Sequence, residues 1–194
     1  MLIIGNGESR QTINLSDIEG IKIGCNAICR DHKVDHLICV DRRMVQEAVD
    51  LKYNGTIYTR QDWVNSFKIH NNVTTVPDIP YDGDVRMDQP FQWGSGPYAV
   101  LLGANISTNS KFTLRLVGFD LFSETGSVNN IYKDTLHYDE GTKDAIDPRY
   151  WIYQIGKVFE CFPKNKFIVY QKSGWKLPNQ WRLGNVFLDN VSNL

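Results

Sequence analysis

The chain has no run of about 20 apolar residues, the length that a helix needs to cross a bilayer. It also lacks the basic start and long apolar stretch of a secretory signal peptide, because Met1 to Ile4 lead directly into Gly5. The 194 residues carry a net charge of only −1, so no basic field indicates a nucleic-acid partner. These absences predict a cytoplasmic protein without a membrane span.

Cysteine is also scarce, with four residues that fall inside or beside apolar segments. This placement is typical of reduced, buried thiols in a cytoplasmic protein. Cys25, Cys29, His32 and His36 are residue types that bind zinc, but zinc fingers place a longer structured segment between their two ligand pairs. We therefore predict no metal site.

Short apolar runs alternate with helical patterns along the chain. The patterns predict strands at 2–4, 21–25, 37–40, 56–58, 73–76, 112–117 and 166–170, and helices at 43–51, 97–104 and 150–162. Strands that alternate with helices form a mostly parallel sheet with helices on both faces. Because no internal repeat or domain boundary is evident, we predict a single α/β domain over residues 1–194.

Two segments lie outside this alternation. Residues 121–147 are polar and aperiodic, and a loop of that length in a compact domain is usually functional, disordered or a lid. We interpret it as a lid and call it the lid segment. Residues 171–194 carry Trp175 and Trp181, which predicts that this C-terminal arm packs on the domain or on a partner, including a second copy of the chain.

Polar residues follow the first three predicted strands. They are Gly5, Asn6, Gly7 and Ser9 after the first strand, Asn26 after the second and Asp41 after the third. Open parallel sheets bind ligands beyond the carboxyl ends of their strands, and glycines there let backbone N–H groups approach an anion. We predict a nucleotide-binding pocket at this edge; the alternative is that Gly-Asn-Gly is only a turn.

A second anion site is predicted where Gly94, Ser95 and Gly96 open the helix that begins near Pro97. The N–H groups and positive dipole end of a helix N-terminus favour a phosphate. Ser95 is also a good capping residue, and the two roles are compatible.

The lid segment contains one histidine, His137, next to Tyr138 and close to Tyr132. Histidine titrates near neutral pH and is a natural general base. A single histidine in a loop is more often a surface residue, so both interpretations stay open.

Taken in order, these motifs resemble the bacterial sialyltransferases that use CMP-sialic acid. The resemblance covers residues 1–170 and rests on Ile-Ile-Gly-Asn-Gly-Glu-Ser at 3–9, Cys-Asn at 25–26, Asp41, Gly-Ser-Gly at 94–96 and Leu-Val-Gly-Phe-Asp at 116–120. It implies a Rossmann-like domain that binds a nucleotide sugar, with a CMP-sugar favoured. A compact chain rich in Asn and Asp also suggests a phage or mobile-element relative, acting in the host cytoplasm.

The resemblance implies a role for each matched residue. Asn6, Gly7 and Asn26 would line the nucleotide pocket, while Ser95 and Gly96 would hold the cytosine or phosphate end. His137 would take the proton of the acceptor hydroxyl, and Tyr132 would stabilise the leaving phosphate. The implied reaction is a metal-independent transfer of the sugar, with the donor as substrate and no further cofactor; the acceptor stays unidentified.

Two other functions stay open, because a fold does not determine a function. One is a pyrophosphokinase or phosphohydrolase, which would need Mg²⁺ ligands. The carboxylates available for that role, without diagnostic spacing, are Asp120, Glu124, Asp139 and Glu140. The other is a non-catalytic interaction module that uses Trp175 and Trp181 at an interface.

Overall fold

The computed structural model describes residues 1–81, 93–108 and 112–194. The eight strands found in these ranges form one parallel sheet with the order β5-β4-β3-β2-β1-β6-β7-β8. The strands are β1 (Leu2–Ile4), β2 (Lys22–Cys25), β3 (His36–Ile38), β4 (Thr56–Thr59), β5 (Val73–Thr75), β6 (Thr113–Val117), β7 (Lys166–Gln171) and β8 (Val186–Asn190).

Helices cover both faces of this sheet. In the described residues they are α1 (Arg42–Asp50), α2 (Gln61–Val64), α3 (Ser95–Thr108) and α4 (Arg149–Cys161). Leu101 of α3 and Phe159 of α4 pack on one face, and Val45 of α1 packs on the other. The α/β prediction with a Rossmann-like parallel sheet is thus confirmed. None of the helices in the described ranges has the length and apolar character that crossing a membrane requires.

The strand order reverses next to β1. The chain builds the sheet outward from β1 to β5 and then returns through α3 to place β6 on the other side of β1. Gly5 and Gly118 follow these two central strands, and a Cβ added to Gly118 would lie 2.6 Å from the Gly5 carbonyl oxygen. Gly118 also has a φ of +70°, which favours glycine. These glycines allow the two strand ends to meet where doubly wound sheets bind ligands.

Two predicted boundaries need correction. The third strand covers His36–Ile38 instead of 37–40, and the Val40 N–H donates to the Ser95 hydroxyl. The helix that begins at Ser95 continues to Thr108, beyond its predicted end at 104, because its last turns still pack against the core. Neither change moves the predicted site away from the strand ends.

The C-terminal arm packs on its own domain. It contains the unpredicted strand β8, which pairs in parallel with β7. Trp181 is fully buried, donates from Nε1 to the Ile152 carbonyl at 2.9 Å and meets Phe159 edge to face. Trp175 donates to the Asp120 carbonyl at 2.8 Å. The expectation of a homo-oligomer through this arm is unsupported. The Trp181 side chain is fully buried in its own domain and could not contact a partner.

Candidate functional site

A cavity of about 300 Å³ lies at the carboxyl ends of β1, β2 and β6. Ligand sites of proteins begin at about this volume. The predicted nucleotide-binding residues that line it are Gly5, Asn6, Gly7, Asn26, Ser95 and Gly96. The structure therefore brings together residues that are up to 91 positions apart in the sequence, at the point where the strand order reverses.

Asn26 and Ser95 form a bonded pair in this cavity. Asn26 follows β2 in the left-handed backbone region, with a φ of +50°, which Asn tolerates better than most residues. The Ser95 hydroxyl donates to Asn26 Oδ1 at 2.9 Å and accepts from the Val40 N–H at 3.2 Å. The side-chain oxygen Oδ1 of Asn26 is thus occupied by its hydrogen bond with Ser95. This pairing leaves the amide Nδ2, which has no acceptor among the described residues, to bind a ligand.

Asn6 links the loop after β1 to its surroundings. Its Nδ2 donates to the Cys25 carbonyl at 3.2 Å and to Tyr138 Oη at 3.3 Å. Its Oδ1 accepts from Arg10 Nη2 at 3.5 Å, and Arg10 Nε donates to the Gly5 carbonyl at 2.7 Å. The buried Arg10 thus places a positive charge beneath this loop. Arg10 was not among the site residues predicted from the sequence, although it closes the Gly-Asn-Gly-Glu-Ser-Arg run.

Asp120, which follows β6, lies in the cavity lining and is only 7% exposed. Its carboxylate accepts from the Ser9 N–H at 2.8 Å, from the Ser9 hydroxyl and from Gln171 Nε2 at 3.3 Å. The Ser9 hydroxyl thus donates its proton to Asp120 and not to a ligand. Ser9, which was predicted to bind the nucleotide, does not line the cavity. A Cβ on Gly7 would collide with this carboxylate, so glycine is needed there.

Asp41 and Gly94 were also predicted to bind the nucleotide, but neither lines the cavity. Asp41 is exposed before α1, and its backbone carbonyl accepts from the N–H groups of the first helical turn. The Gly94 N–H donates to Gln154 Oε1 at 3.2 Å. Both residues have a structural role at a helix start.

The lid segment has no helix or regular strand and covers the cavity. The Ile131 N–H donates to the Asn6 carbonyl at 2.8 Å, and Asn129 Oδ1 accepts from the Glu8 N–H at 2.8 Å. The residues that the lid segment contributes to the lining are Leu121, Ser123, Val128, Asn129, Asn130, Tyr138, Asp139, Ala145 and Ile146. A ligand in the cavity would thus be enclosed by this segment.

Tyr132 and His137 lie outside the cavity lining. Tyr132 is buried beside Arg10, its hydroxyl accepts from Arg10 Nη2 at 3.3 Å, and burial raises its pKa to about 12. The Nε2 atom of His137 lies 4.0 Å from a Glu47 carboxylate oxygen, and about a quarter of its side chain is exposed. The structure places neither of these two residues where it would touch a ligand in the cavity.

Tyr138 is the lid tyrosine that does reach the cavity. Its hydroxyl oxygen accepts from Asn6 Nδ2 at 3.3 Å and from the Ala27 N–H at 3.4 Å. Because these donors occupy the oxygen, the phenolic proton remains to be donated to a ligand. Burial raises the pKa of the Tyr138 phenol far above its usual range, so this proton is retained at neutral pH. In the sequence it is a neighbour of His137 whose hydroxyl, like that of Tyr132, could orient an acceptor or a leaving phosphate.

The remaining wall of the cavity is apolar, with Phe119, Trp151 and Ile155 in the lining. The cavity thus combines polar groups at the strand ends with a flat hydrophobic surface, the usual composition of a site for a small organic ligand. Within residues 1–81, 93–108 and 112–194, no three His, Cys, Asp or Glu side chains come together as a set of metal ligands.

Comparison with models of protein families, with curated proteins and with solved structures gave no match to this chain. The assignment of the site therefore rests on the geometry of its own residues.

Proposed function

We propose that the chain is a glycosyltransferase that binds a nucleotide sugar, with a CMP-sugar favoured, and transfers the sugar to an acceptor hydroxyl without a metal ion. One observation carries this proposal. The Gly5–Gly7 loop, Asn26 and the start of α3 converge on a single covered cavity at the point where the strand order reverses. That point is where doubly wound sheets bind nucleotides.

The start of α3 suits the phosphate of such a donor. Ser95 and Gly96 begin this helix of 14 residues, and both line the cavity. In this first turn Pro97 has no N–H and the Tyr98 N–H donates to the Gly94 carbonyl at 3.1 Å, which leaves the N–H groups of Ser95 and Gly96 to face an anion. The helix dipole adds positive potential there. Gly96 has no side chain that would keep an anion away from these groups. One helix start and a small cavity fit a nucleotide with one phosphate better than a larger diphosphate.

The other groups suit a nucleoside. The Asn26 amide can donate to the edge of a base, and the Phe119 and Trp151 side chains offer an apolar wall for its ring. The Asp120 carboxylate is fixed by Ser9 and keeps acceptor capacity for a ribose hydroxyl. Acidic residues at the end of a strand bind ribose in this way in dinucleotide-binding folds.

The transfer is a displacement at the anomeric carbon. The acceptor oxygen forms a bond to that carbon, the bond from the carbon to the phosphate oxygen breaks, and its electron pair stays on the phosphate. Tyr138 donates its hydrogen bond to this leaving phosphate, a role that the resemblance had implied for Tyr132. Asp139 is an exposed carboxylate in the cavity lining, and its Oδ1 accepts from Lys143 Nζ at 2.7 Å. Its other oxygen, Oδ2, takes the proton of the acceptor hydroxyl in place of His137.

A thermal-shift panel of CMP, UDP, GDP and ADP, each with and without Mg²⁺, tests this proposal. A ligand that binds only the native state at 100 times its Kd stabilises that state by about 2.7 kcal/mol. We expect CMP to raise the Tm by several degrees, with no requirement for Mg²⁺. Stabilisation only with Mg²⁺ would favour a phosphoryl-transfer enzyme, and no stabilisation by any nucleotide would favour an interaction module.

A further inference from the structure

Arg30 connects the body of the domain to the lid segment. It ends the short 3-10 helix Asn26–Arg30, which follows β2 at the cavity. Its Nη1 donates to the Thr135 hydroxyl at 2.7 Å, and its Nη2 donates to the Leu136 carbonyl at 2.8 Å. One guanidinium group thus holds two consecutive residues of the lid segment, more than 100 positions away in the sequence.

Glu47 of α1 fixes this guanidinium in place. Its two carboxylate oxygens accept from Arg30 Nε and, at 2.9 Å, from Arg30 Nη2. The side chains of Arg30 and Glu47 are only 19% and 13% exposed, so water screens the pair weakly. The hydrogen bond to Glu47 raises the pKa of Arg30, which stays charged throughout. Bidentate pairing with a carboxylate fixes the orientation of the planar guanidinium as well as attracting its charge.

The same guanidinium lies against the two lid tyrosines. Its central carbon is 5.7 Å from the ring centroid of Tyr132 and 5.7 Å from that of Tyr138, within the range of cation–π attraction. Arg30 therefore contacts the ring whose hydroxyl reaches the cavity. Neither Arg30 nor Glu47 lines the cavity itself.

We infer that Arg30 is a positioning residue, which fastens residues 135–138 of the lid segment to α1 and thereby fixes the Tyr138 hydroxyl at the ligand. The inference rests on the proposed function at one point only, namely that the ligand to which Tyr138 donates a hydrogen bond is a nucleotide.

Hydrogen exchange of the ligand-free protein tests the fastening directly. In Arg30→Gln, the amides of Glu8, Ala27 and Ile131, whose acceptors all lie in or against the lid segment, should exchange at least about tenfold faster. A hydrogen bond from a charged group contributes enough for a change of that size. The Gly5 amide, which donates to the Val117 carbonyl in the sheet, should keep its rate.

Two further variants separate this effect from a general loss of stability. Glu47→Gln should accelerate exchange at the same three amides, because it weakens the hydrogen bonds that hold the Arg30 guanidinium in place. Arg60→Gln is the matched control, because Arg60 also pairs with both oxygens of a carboxylate, that of Asp62, and lies over an aromatic ring, that of Trp63. Unchanged exchange in Arg30→Gln, or an equal acceleration in Arg60→Gln, would overturn the inference.

A double-mutant cycle with CMP tests whether Arg30 acts through Tyr138. Arg30→Gln should weaken CMP binding at least about fivefold in the wild-type background and less than twofold when Tyr138 is already phenylalanine. Equal losses in both backgrounds would contradict action through Tyr138. If the wild type binds no CMP, the proposed function fails, while the exchange experiment still decides whether Arg30 fastens the lid segment.

Discussion

Replacement of Trp181 by alanine is expected to lower the free energy of unfolding by about 3–5 kcal/mol, the cost of removing a large aromatic side chain from a core. Trp181 is fully buried, contacts Phe159 and gives its Nε1 proton to the Ile152 carbonyl. The loss is a large part of the 5–15 kcal/mol that typically stabilises a domain, so the variant should unfold at a much lower urea concentration.

Phe187→Ala is the matched control for this measurement. Phe187 also belongs to the C-terminal arm, on strand β8, but it is 46% exposed. Its removal should cost much less, about 1 kcal/mol or below. If the two variants lost similar stability, or if Trp181→Ala changed the oligomeric state in size-exclusion chromatography while its stability was kept, the arm would not pack as the structure has it.

The second large effect concerns catalysis. Asp139→Asn is expected to lower the rate of sugar transfer by roughly 10²–10⁴-fold, the usual contribution of a general base. Affinity for the nucleotide should change little, because the base acts on the acceptor proton and not on the nucleotide. Steady-state kinetics with a CMP-sugar donor, together with calorimetric titration of CMP, separate the two quantities.

Asp144→Asn is the control for charge on the lid segment, because Asp144 is an exposed carboxylate that does not line the cavity. It should keep the transfer rate of the wild type. His137→Ala should also keep most of the rate, since His137 lies beside Glu47 outside the cavity. A rate that collapses in His137→Ala but survives in Asp139→Asn would return the role of base to the histidine.

The central strands could be predicted from the sequence because most of their side chains are buried. Leu2–Ile4 has neighbouring strands on both sides and is buried throughout, so it occurs as a continuous apolar run. Thr113–Val117 also has two neighbouring strands, and its three apolar residues are all fully buried, although Thr113 and Arg115 are not. Val186–Asn190 is an edge strand with exposed Phe187 and Leu188, and its short mixed sequence has no clear period. That strand was therefore interpreted only as part of a packing arm.

The candidate site was predictable only where local sequence determines it. Gly7 and Ser95 lie in short motifs at the end of a strand and the start of a helix, and such positions follow from the element order. The sequence named both Tyr132 and Tyr138 as candidates without deciding between them and did not point to Arg30, because the roles of these residues depend on the path of the lid segment. The bond from the Ala27 N–H to Tyr138, for example, joins residues 111 positions apart, and no local pattern predicts such a contact.

Calorimetric titration of CMP into the wild type, Tyr138→Phe and Tyr132→Phe measures whether the cavity binds a cytidine nucleotide through the Tyr138 hydroxyl. Each substitution removes one hydroxyl from a tyrosine of the lid segment, but only the Tyr138 hydroxyl reaches the cavity. We expect the wild type to bind CMP and Tyr132→Phe to keep the wild-type affinity. Tyr138→Phe should bind CMP about 10–100-fold more weakly, because it loses a hydrogen bond to a charged phosphate. No binding by the wild type, or equal affinity in all three proteins, would contradict this expectation.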